Sequence, residues 1–390
     1  MKSFDAHLAD CRTLLARRPP VRVPALDSVG LELAEPVVAT APYPAFAVSA
    51  MDGFAVRVDD VPGRLRIAGE VAAGRVPTVE VAPGSAVRIM TGSPIPVGTE
   101  AVVRVEDTVT HGDDVEVSAP ARHGLNIREV GEDVQAGDVV LPAGQVIAAA
   151  QIAALAAHNV DTVSAYPRVR VGILSTGDEI VSHGSVPGPA QLVDSNGPGL
   201  AAAAIAAGAD VVHVAHVSDQ PDRFLAAMDA LPELDQVITS GGISMGAYDV
   251  VKASLASRGV QFQTVAMQPG KPQAWGRYQA DGGTRPPVSF LGLPGNPVSA
   301  LMSFELFGRA ALGRELPIAT ATLLDPVERS PDGKRQFLRG RLADGTVRLV
   351  SGAESHLVVG LARANCLVVV SEDIVAVPAG AQVPVIVLAG

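Results

Sequence analysis

Between residues 168 and 313 the sequence alternates short apolar runs with helix-period segments, and this rhythm constrains the fold more than any other feature. The runs RVRVGIL, DVVHVAHV and DQVITS are typical of strands, and the first has the apolar character of a strand buried on both faces. Helical segments separate them; Gly208 closes the first segment and Pro221 opens the second. Strands that alternate with helices predict a parallel, doubly wound α/β domain over 168–313.

The flanking segments follow a different pattern. Residues 44–140 consist of short β-prone pieces between Gly and Pro turns, which predicts a β-rich domain. Within it, TVTHGDDVEVS predicts a hairpin that turns near Gly112 and Asp113. Short strand patterns return over 314–390 and predict a C-terminal β domain. We expect an N-terminal helix and a linking segment over 1–43, and a return linking segment over 141–167.

Charge and cysteine content narrow the classes of partner and compartment. The formal net charge is −11 and the sequence holds no block of Lys and Arg, so we expect neither nucleic acid nor a membrane as a partner. Cys11 and Cys366 are the two cysteines and lie far apart, which suits a reducing compartment. The N-terminus carries charge throughout and lacks the apolar core of a signal peptide. We therefore expect a cytoplasmic protein.

Five glycine-containing or polar loops accompany the strands of the predicted α/β domain. In such a sheet, ligands bind at the carboxyl ends of the strands, so these loops are expected to gather at one edge. Backbone amides at helix N-termini suit phosphate, and carboxylates beside a phosphate indicate a hard cation such as Mg²⁺. The sequence therefore predicts a magnesium-assisted phosphate or pyrophosphate site. The loops are STGDEI (175–180), VDSNGPG (193–199), TSGGISMGAYD (239–249), MQPGKPQAW (267–275) and GLPGNPVS (292–299).

Each of these loops also has a purely structural interpretation. Asp249 could cap the helix that follows it, and Asn296 with Pro297 forms a favourable helix start. Asp178 and Glu179 could be a solvated helix start favoured by the helix dipole. Lys271, between a Gly and a Pro, could be a surface turn residue. Both interpretations stay open at this point.

Taken in order, the motifs resemble the molybdopterin molybdenumtransferase family, of the MoeA type, which includes the gephyrin E domain. The resemblance covers most of the chain. The β-rich segment favours the MoeA type over the related molybdopterin adenylyltransferases, which have only the α/β domain. The matching stretches are SAMDGFAV (49–56), RIMTGSPIPVGTEAVVRVEDT (88–108), NIREVGEDVQAG (126–137), LSTGDEIV (174–181), DSN (194–196), TSGGISMGAYD (239–249), QPGKP (268–272) and LPGNPVSA (293–300).

The resemblance implies a fold of class α/β plus β. It would have a doubly wound α/β domain like those of MoaB and MogA, a β-rich domain, a small linking region and a C-terminal β-barrel-like domain. It also implies a homodimer with the site formed between subunits, and possible protein partners. The implied reaction binds adenylylated molybdopterin and molybdate, cleaves the phosphoanhydride with Mg²⁺, releases AMP and places molybdenum on the dithiolene.

The resemblance also implies roles for individual residues. The residues implied to be catalytic are Asp52, Thr91, Asp133, Glu179, Asp194 and Asp249. The first three would reach the site from the β-rich domain of the partner subunit. The last three of these are also the implied metal ligands. The residues implied to bind the substrates are Thr176, Gly177, Asp178, Ser240, Gly241, Gly242, Ser244, Gly246, Lys271, Pro294, Gly295, Asn296, Pro297 and Ser299.

The sequence departs from the family pattern at two places. Ala47 and Val48 replace an Asp-Asn pair, and Gln268 replaces the first of two lysines near the oxyanion. A neutral amide supplies no net charge, so we expect weaker molybdate binding. Two alternative functions follow: a gephyrin-like scaffold or partner-binding paralogue with weak or no transferase activity, and an adenylyltransferase that acts one step earlier.

Overall fold

A computed structural model describes residues 1–243, 249–280 and 286–388. The chain divides into two compact units. The β-rich unit comprises Pro19–Pro167, and the α/β unit comprises Met1–Arg18 together with Arg168–Gly390.

Helix α1 (Phe4–Arg12) opens the chain and belongs to the α/β unit. Ser3 caps it by accepting a hydrogen bond from the backbone amide of Ala6 at 3.3 Å. The helix buries Phe4, His7 and Cys11. The ring centroid of Phe4 lies 5.2 Å from those of both Phe307 and Phe337. This aromatic packing holds the N-terminal helix, which was expected within residues 1–43, in the α/β unit. The linking segment expected in the same range lies in the β-rich unit.

The β-rich unit holds a six-stranded sheet of order β8-β5-β7-β6-β10-β9, a three-stranded sheet of order β1-β13-β2, and the ribbons β11-β4 and β12-β3. The predicted hairpin is confirmed, because His111 pairs with Asp114 across a two-residue turn. The elements of this unit are β1 (Val21–Pro24), β2 (Glu32–Leu33), β3 (Val37–Val38), β4 (Val48–Ser49), β5 (Gly53–Val56), β6 (Gly63–Val71), β7 (Ser85–Ile89), β8 (Ala101–Arg104), β9 (Thr108–His111), β10 (Asp114–Val117), β11 (Ile127–Arg128), β12 (Val139–Leu141), α2 (Ala149–Ala157) and β13 (Thr162–Tyr166).

The α/β unit contains a six-stranded sheet of order β17-β14-β18-β22-β21-β19, in which the first four strands are parallel. Apolar side chains from both faces of this sheet fill two buried clusters. The predicted doubly wound α/β domain is confirmed. Its elements are β14 (Arg170–Thr176), β15 (Ile180–Val181), β16 (Leu192–Val193), α3 (Asn196–Ala206), β17 (Asp210–Val217), α4 (Pro221–Asp229), β18 (Gln236–Ser240), α5 (Val250–Leu255), β19 (Val260–Thr264), β20 (Met267–Gln268), β21 (Pro272–Tyr278), β22 (Val288–Leu293), α6 (Pro297–Ser303), a π-helical turn (Phe304–Gly308) and α7 (Arg309–Ala311).

The loop expected over 267–275 differs from the structure. Residues from Pro272 onward form β21, an antiparallel strand between β19 and β22. Pro272 and Gly276 argue against a strand by composition. The structure explains Gly276, because a Cβ at this position would overlap the carbonyl oxygen of Gly259 on the adjacent chain segment. The true loop is the short connection between β20 and β21.

The C-terminal part of the α/β unit is a closed five-stranded barrel. Its strands follow the order β24-β25-β23-β27-β26, and β26 pairs again with β24. The predicted β-barrel-like domain is therefore confirmed, and β20 extends the sheet beside β24. The elements are β23 (Ile318–Leu323), β24 (Arg335–Ala343), β25 (Thr346–Leu349), α8 (Val358–Ala362), β26 (Cys366–Val370) and β27 (Gln382–Val387).

Across the described ranges, no helix has the length and apolar character needed to cross a membrane.

Candidate active site

The strand order of the α/β unit changes direction at β14. The chain runs from β14 to β17 on one side and then returns to β18 on the other. A crevice that binds ligands is expected outside the carboxyl ends of the strands at such a switch point. Thr176 ends β14, Ser240 ends β18 and Leu293 ends β22, so three predicted loops begin side by side.

Hydrogen bonds tie these loops together. The Nδ2 group of Asn196, the first residue of α3, donates to Ser240 Oγ and to the carbonyl oxygen of Gly295, both at 2.7 Å. Ser240 Oγ donates in turn to the carbonyl oxygen of Pro294 at 3.0 Å. The loops after β18 and β22 and the start of α3 therefore meet at one edge, as the sequence predicted.

Asp194 anchors the start of α3. Its Oδ1 accepts the backbone amides of Asn196 and Gly197, both at 2.9 Å. Its Oδ2 accepts the hydroxyl of Ser175 at 2.5 Å, and the side chain is buried. These three bonds leave one lone pair on Oδ2. The geometry supports an orienting role for Asp194, and its role as a metal ligand stays a prediction.

Glycines bring the loop backbones into close approach. Gly241 has φ +95° and Gly242 has φ +65°, values that suit glycine. A Cβ on Gly241 would lie 2.8 Å from Thr176 Oγ1, and a Cβ on Gly242 would lie 3.2 Å from the same atom. Gly177, the residue after Thr176, has φ +144°. Where these loops approach one another, they do so through backbone atoms and the Thr176 hydroxyl.

Several polar atoms at this edge are buried and lack a hydrogen-bond partner among the described residues: Thr176 Oγ1, Asn196 Oδ1 and Asp249 Oδ2. Asp249 stands at the N-cap position of α5, but its side chain makes no capping hydrogen bond. Asn296 likewise stands at the N-cap of α6 without a side-chain cap, and Pro297 follows it. Unpaired buried polar groups are costly, so their concentration here indicates a place for a ligand or ordered water.

Asp178 and Glu179 are exposed beyond the end of β14. The backbone amide of Asp219 donates to Asp178 Oδ1 at 3.0 Å, and that of Asp178 donates to Asp219 Oδ2 at 3.3 Å. Burial raises the pKa of Asp219, and the charges of Asp178 and Glu179 raise it further, against hydrogen bonding and His216. Asp219 was missed in the sequence because it follows β17, a strand whose loop holds no glycine motif.

The carboxylates fit Mg²⁺ unequally. Asp249 offers a buried oxygen that has no partner within residues 1–243, 249–280 and 286–388, and Glu179 offers an exposed carboxylate; both are donor types that Mg²⁺ prefers. Asp194 is largely satisfied by protein donors. Within the ranges that the structure describes, no group of three or more His, Cys, Asp or Glu side chains is placed to hold a metal ion.

The loop between β20 and β21 lies at the same edge, since Pro272 starts the strand that pairs antiparallel with β22. Lys271 is exposed there, and Gln268 is half-buried on β20. Gln273 holds the loop against α6 by donating through Nε2 to the carbonyl oxygen of Gly270 and to Ser303 Oγ, both at 2.7 Å. Ser299 on α6 is buried at 4% exposure.

One residue from the barrel region also reaches this edge and was missed in the sequence. The backbone amide of Val298, in the first turn of α6, donates to the carbonyl oxygen of Ser355 at 3.1 Å. Arg339, buried on β24, holds the residue before Ser355, because its Nη1 donates to the carbonyl oxygen of Glu354 at 3.0 Å. The proximity of Ser355 to α6 depends on contacts between distant segments, for which the sequence gives no local signal.

In the β-rich unit, the structure brings two of the predicted residues together. Asp52 Oδ1 accepts the backbone amide of Thr91 at 2.6 Å, and bonds from Thr91 lower the pKa of Asp52. Asp52 is exposed and precedes β5, whose first residue Gly53 sits where a Cβ would overlap the carbonyl oxygen of Val103. This close approach fixes the position of the Asp52 carboxylate.

Asp133 lies in a different part of the β-rich unit. It is exposed in a cleft of about 780 Å³, and its backbone amide donates to the carbonyl oxygen of Tyr43 at 3.1 Å. Gly92, which follows Thr91, lines the same cleft. Within the described part of the chain, no hydrogen bond joins Asp133 to Asp52 or Thr91. The predicted binding residues Ser244 and Gly246 lie outside the described residues.

Three family patterns match this chain in order. They are the MoeA N-terminal region (domain I and II) over residues 2–158, the probable molybdopterin binding domain over 172–314, and the MoeA C-terminal region (domain IV) over 320–388.

Relatives match over nearly the whole length. Molybdopterin molybdenumtransferase 2 of Mycobacterium tuberculosis is 40% identical, with 99% of each chain covered. A molybdopterin molybdenumtransferase of Nostoc is 36% identical, with 87% of this chain and 82% of that protein covered. The crystal structure of a molybdopterin biosynthesis MoeA protein from Pyrococcus horikoshii is 25% identical, covers 99% of this chain and 100% of that one, and gives a TM-score of 0.82.

The fold, the loops at the switch point and the full-length matches agree. The chain takes part in molybdenum cofactor biosynthesis. It belongs to the MoeA family, the molybdopterin molybdenumtransferases.

Proposed function

We propose that this protein inserts molybdate into adenylylated molybdopterin, with Mg²⁺ bound and with release of AMP. The observation that carries the proposal is the edge where β14, β18 and β22 end. There, glycines expose backbone, and Thr176, Asn196 and Asp249 keep buried polar atoms that find no partner in the described parts of the chain. Such an edge suits an anionic, hydrogen-bonding ligand at helix N-termini.

The loops divide the work of holding the substrates. The Ser240–Gly242 loop and the Pro294–Asn296 loop would hold the phosphate of the pterin substrate through backbone amides other than that of Gly241, which donates to Leu293. Pro294 has no N–H to offer. Lys271 is exposed at the same edge and would supply a positive charge to molybdate. Gln268, in contrast, would supply hydrogen bonds without charge. Ser299 and Pro294 would shape the wall of the site.

Asp249 and Glu179 are the residues best suited to hold Mg²⁺. When bound, Mg²⁺ would neutralise charge on the phosphoanhydride. Asp194 keeps α3 and Ser175 in place through the bonds described above. Loss of Mg²⁺ binding in an Asp249→Asn variant can be measured by titration calorimetry without any turnover, and Mg²⁺ binding equal to that of the unmodified protein would remove Asp249 from the metal site.

We further propose a homodimer in which Asp52, Thr91 and Asp133 of one subunit serve the α/β site of the other. The bond between Asp52 and Thr91 supports a shared role for these two residues. We also propose a cytoplasmic location, in keeping with the cysteine content noted above.

A cell that lacks its own molybdenumtransferase provides the test. Restored molybdenum-enzyme activity is expected when this chain is expressed there. A folded, expressed chain that restores nothing would instead favour the scaffold alternative. ATP-dependent adenylylation of molybdopterin by the purified protein would favour the adenylyltransferase alternative.

A further inference from the structure

Asn196 is the residue through which three separate segments of the site are joined. It is 9% exposed at the start of α3. Its Nδ2 group reaches Ser240 Oγ at the end of β18 and the carbonyl oxygen of Gly295 after β22. Its backbone amide is held by Asp194 Oδ1 at 2.9 Å. Both ends of this residue are therefore fixed.

The directions of these hydrogen bonds admit only one arrangement. A carbonyl oxygen can only accept, so Gly295 fixes which side of the Asn196 amide is Nδ2. Ser240 Oγ accepts from Nδ2 and donates its proton to the carbonyl oxygen of Pro294. Both protons of Nδ2 and the proton of Ser240 are thus used. Flipping the Asn196 amide or rotating the Ser240 hydroxyl would break at least one of these hydrogen bonds.

These bonds hold two loops at a defined separation. The backbone amide of Gly241 donates to the carbonyl oxygen of Leu293 at 3.1 Å. A Cβ on Gly295 would lie 3.5 Å from the Cα of Gly241, which is van der Waals contact. The loops after β18 and β22 therefore touch beside Asn196, and nothing larger than glycine separates them there.

We propose that Asn196 is a positioning residue that holds the Ser240–Gly242 and Pro294–Asn296 loops against each other, so that together they form one cradle. It acts through Ser240 and Gly295 rather than by touching the reacting atoms. That the cradle receives a phosphorylated pterin rests on the proposed function. The hydrogen bonds from Asn196 to Ser240 and Gly295, which we call the clamp, rest only on the geometry above.

The test uses the full-length protein with Asn196→Ala, Ser240→Ala and the double variant. Asn196→Ala removes the bonds to both loops, whereas Ser240→Ala leaves the bond to Gly295. Amide hydrogen exchange of peptides covering 239–243 and 292–299 reports the clamp without any substrate. Gln261→Ala, an exposed position on β19, is the control.

Exchange in both peptides is expected to rise about tenfold in Asn196→Ala, less in Ser240→Ala, and no further in the double variant. The KM for adenylylated molybdopterin should rise about tenfold while kcat changes less, because binding geometry is what the clamp provides. The thermal midpoint reports folding separately.

Exchange equal to that of the control would overturn the clamp. Faster exchange with an unchanged KM would overturn its role in the cradle. If the unmodified protein released no AMP, the proposed function would fail, while the exchange data would still decide whether Asn196 joins the two loops.

Discussion

At the scale of single residues, the site contains one carboxylate that the fold supports with hydrogen bonds and another whose ionised form the fold disfavours. Asp194 has three donors, whereas Asp219 sits near Asp178 and Glu179 with a raised pKa. A carboxyl whose pKa is raised in the fold destabilises the protein once it ionises. Burial is the largest cause of the raised pKa of Asp219, and repulsion from Asp178 and Glu179 adds to it. Perturbed carboxylates of this kind are typical of functional sites, where a bound cation would relieve the repulsion.

Asp219→Asn is therefore expected to stabilise the protein at neutral pH and to lower its activity. An Asn oxygen can still accept the backbone amide of Asp178, so the loop is retained. The gain in thermal midpoint should shrink as pH falls through the ordinary carboxyl range, because Asp219 is then neutral in both states. Melting curves from acid to neutral pH measure this; a midpoint lowered by the substitution at neutral pH would contradict it.

The Gln268→Lys variant restores the lysine of the family pattern and so tests the effect of the positive charge that this chain lacks at position 268. Gln268 is half-buried on β20 next to the loop that carries Lys271. A charged donor is worth about 1–2 kcal/mol more than a neutral one, so the KM for molybdate should fall about tenfold. Gln261→Lys, exposed on β19, controls for added charge at a distance. No gain in molybdate affinity would remove Gln268 from the oxyanion site.

The sequence predicted those residues that follow buried strands directly. Thr176 and Ser240 are the last residues of β14 and β18, and Pro294 directly follows β22, so the edge of a parallel sheet collects them. Ser355 was not predicted, because it reaches α6 only after the barrel has closed. Local pattern carries no information about that closure.

At the scale of elements, the cradle loops depend on glycine for two separate reasons. Gly241 needs a positive φ and also leaves room for Thr176. Gly313 has φ +67° but open space around its Cβ position. Gly313→Ala should cost about 1–2 kcal/mol of stability from backbone strain, and Gly241→Ala should cost more, because its Cβ would also overlap Thr176. Only Gly241→Ala should weaken substrate binding, measured as KM; equal KM values in the two variants would contradict the cradle.

Helix α1 supplies a second prediction, on the pH dependence of folding. His7 is fully buried, its ring centroid lies 4.5 Å from that of Phe307, and burial followed by the charge of Lys2 lowers its pKa to about 4. The fold therefore holds neutral His7, and its stability should fall as pH drops from about 6.5 to about 4, by up to about 3 kcal/mol. His7→Phe should flatten this part of the acid unfolding curve; an unchanged curve would place the acid sensitivity elsewhere.

The elements show where composition misleads. The predicted loop 267–275 includes PQAW, yet these four residues are the first part of β21, where Gly276 lets the backbone of the neighbouring segment approach. The alternating strands and helices of the same unit were predicted correctly, since their apolar periods are strong. Rules based on local composition fail where a contact between distant segments of the chain determines the secondary structure.

At the scale of the whole molecule, the proposed sharing of sites predicts how inactive variants complement each other. Asp52→Asn alters the β-rich unit and Asp249→Asn alters the α/β unit, and each homodimer should be inactive. Random assembly of the two chains places one intact site in every mixed dimer. The co-expressed mixture should then reach about a quarter of the unmodified activity, provided that the sites are shared. Sites confined to single chains would give no recovery.

The most direct measurement is AMP release from adenylylated molybdopterin by the purified protein with Mg²⁺, with and without molybdate. We expect AMP release that depends on molybdate and is lost in Asp249→Asn. Tight binding of the substrate without release, at any molybdate concentration, would rule out the transferase function and leave the site with a binding role only.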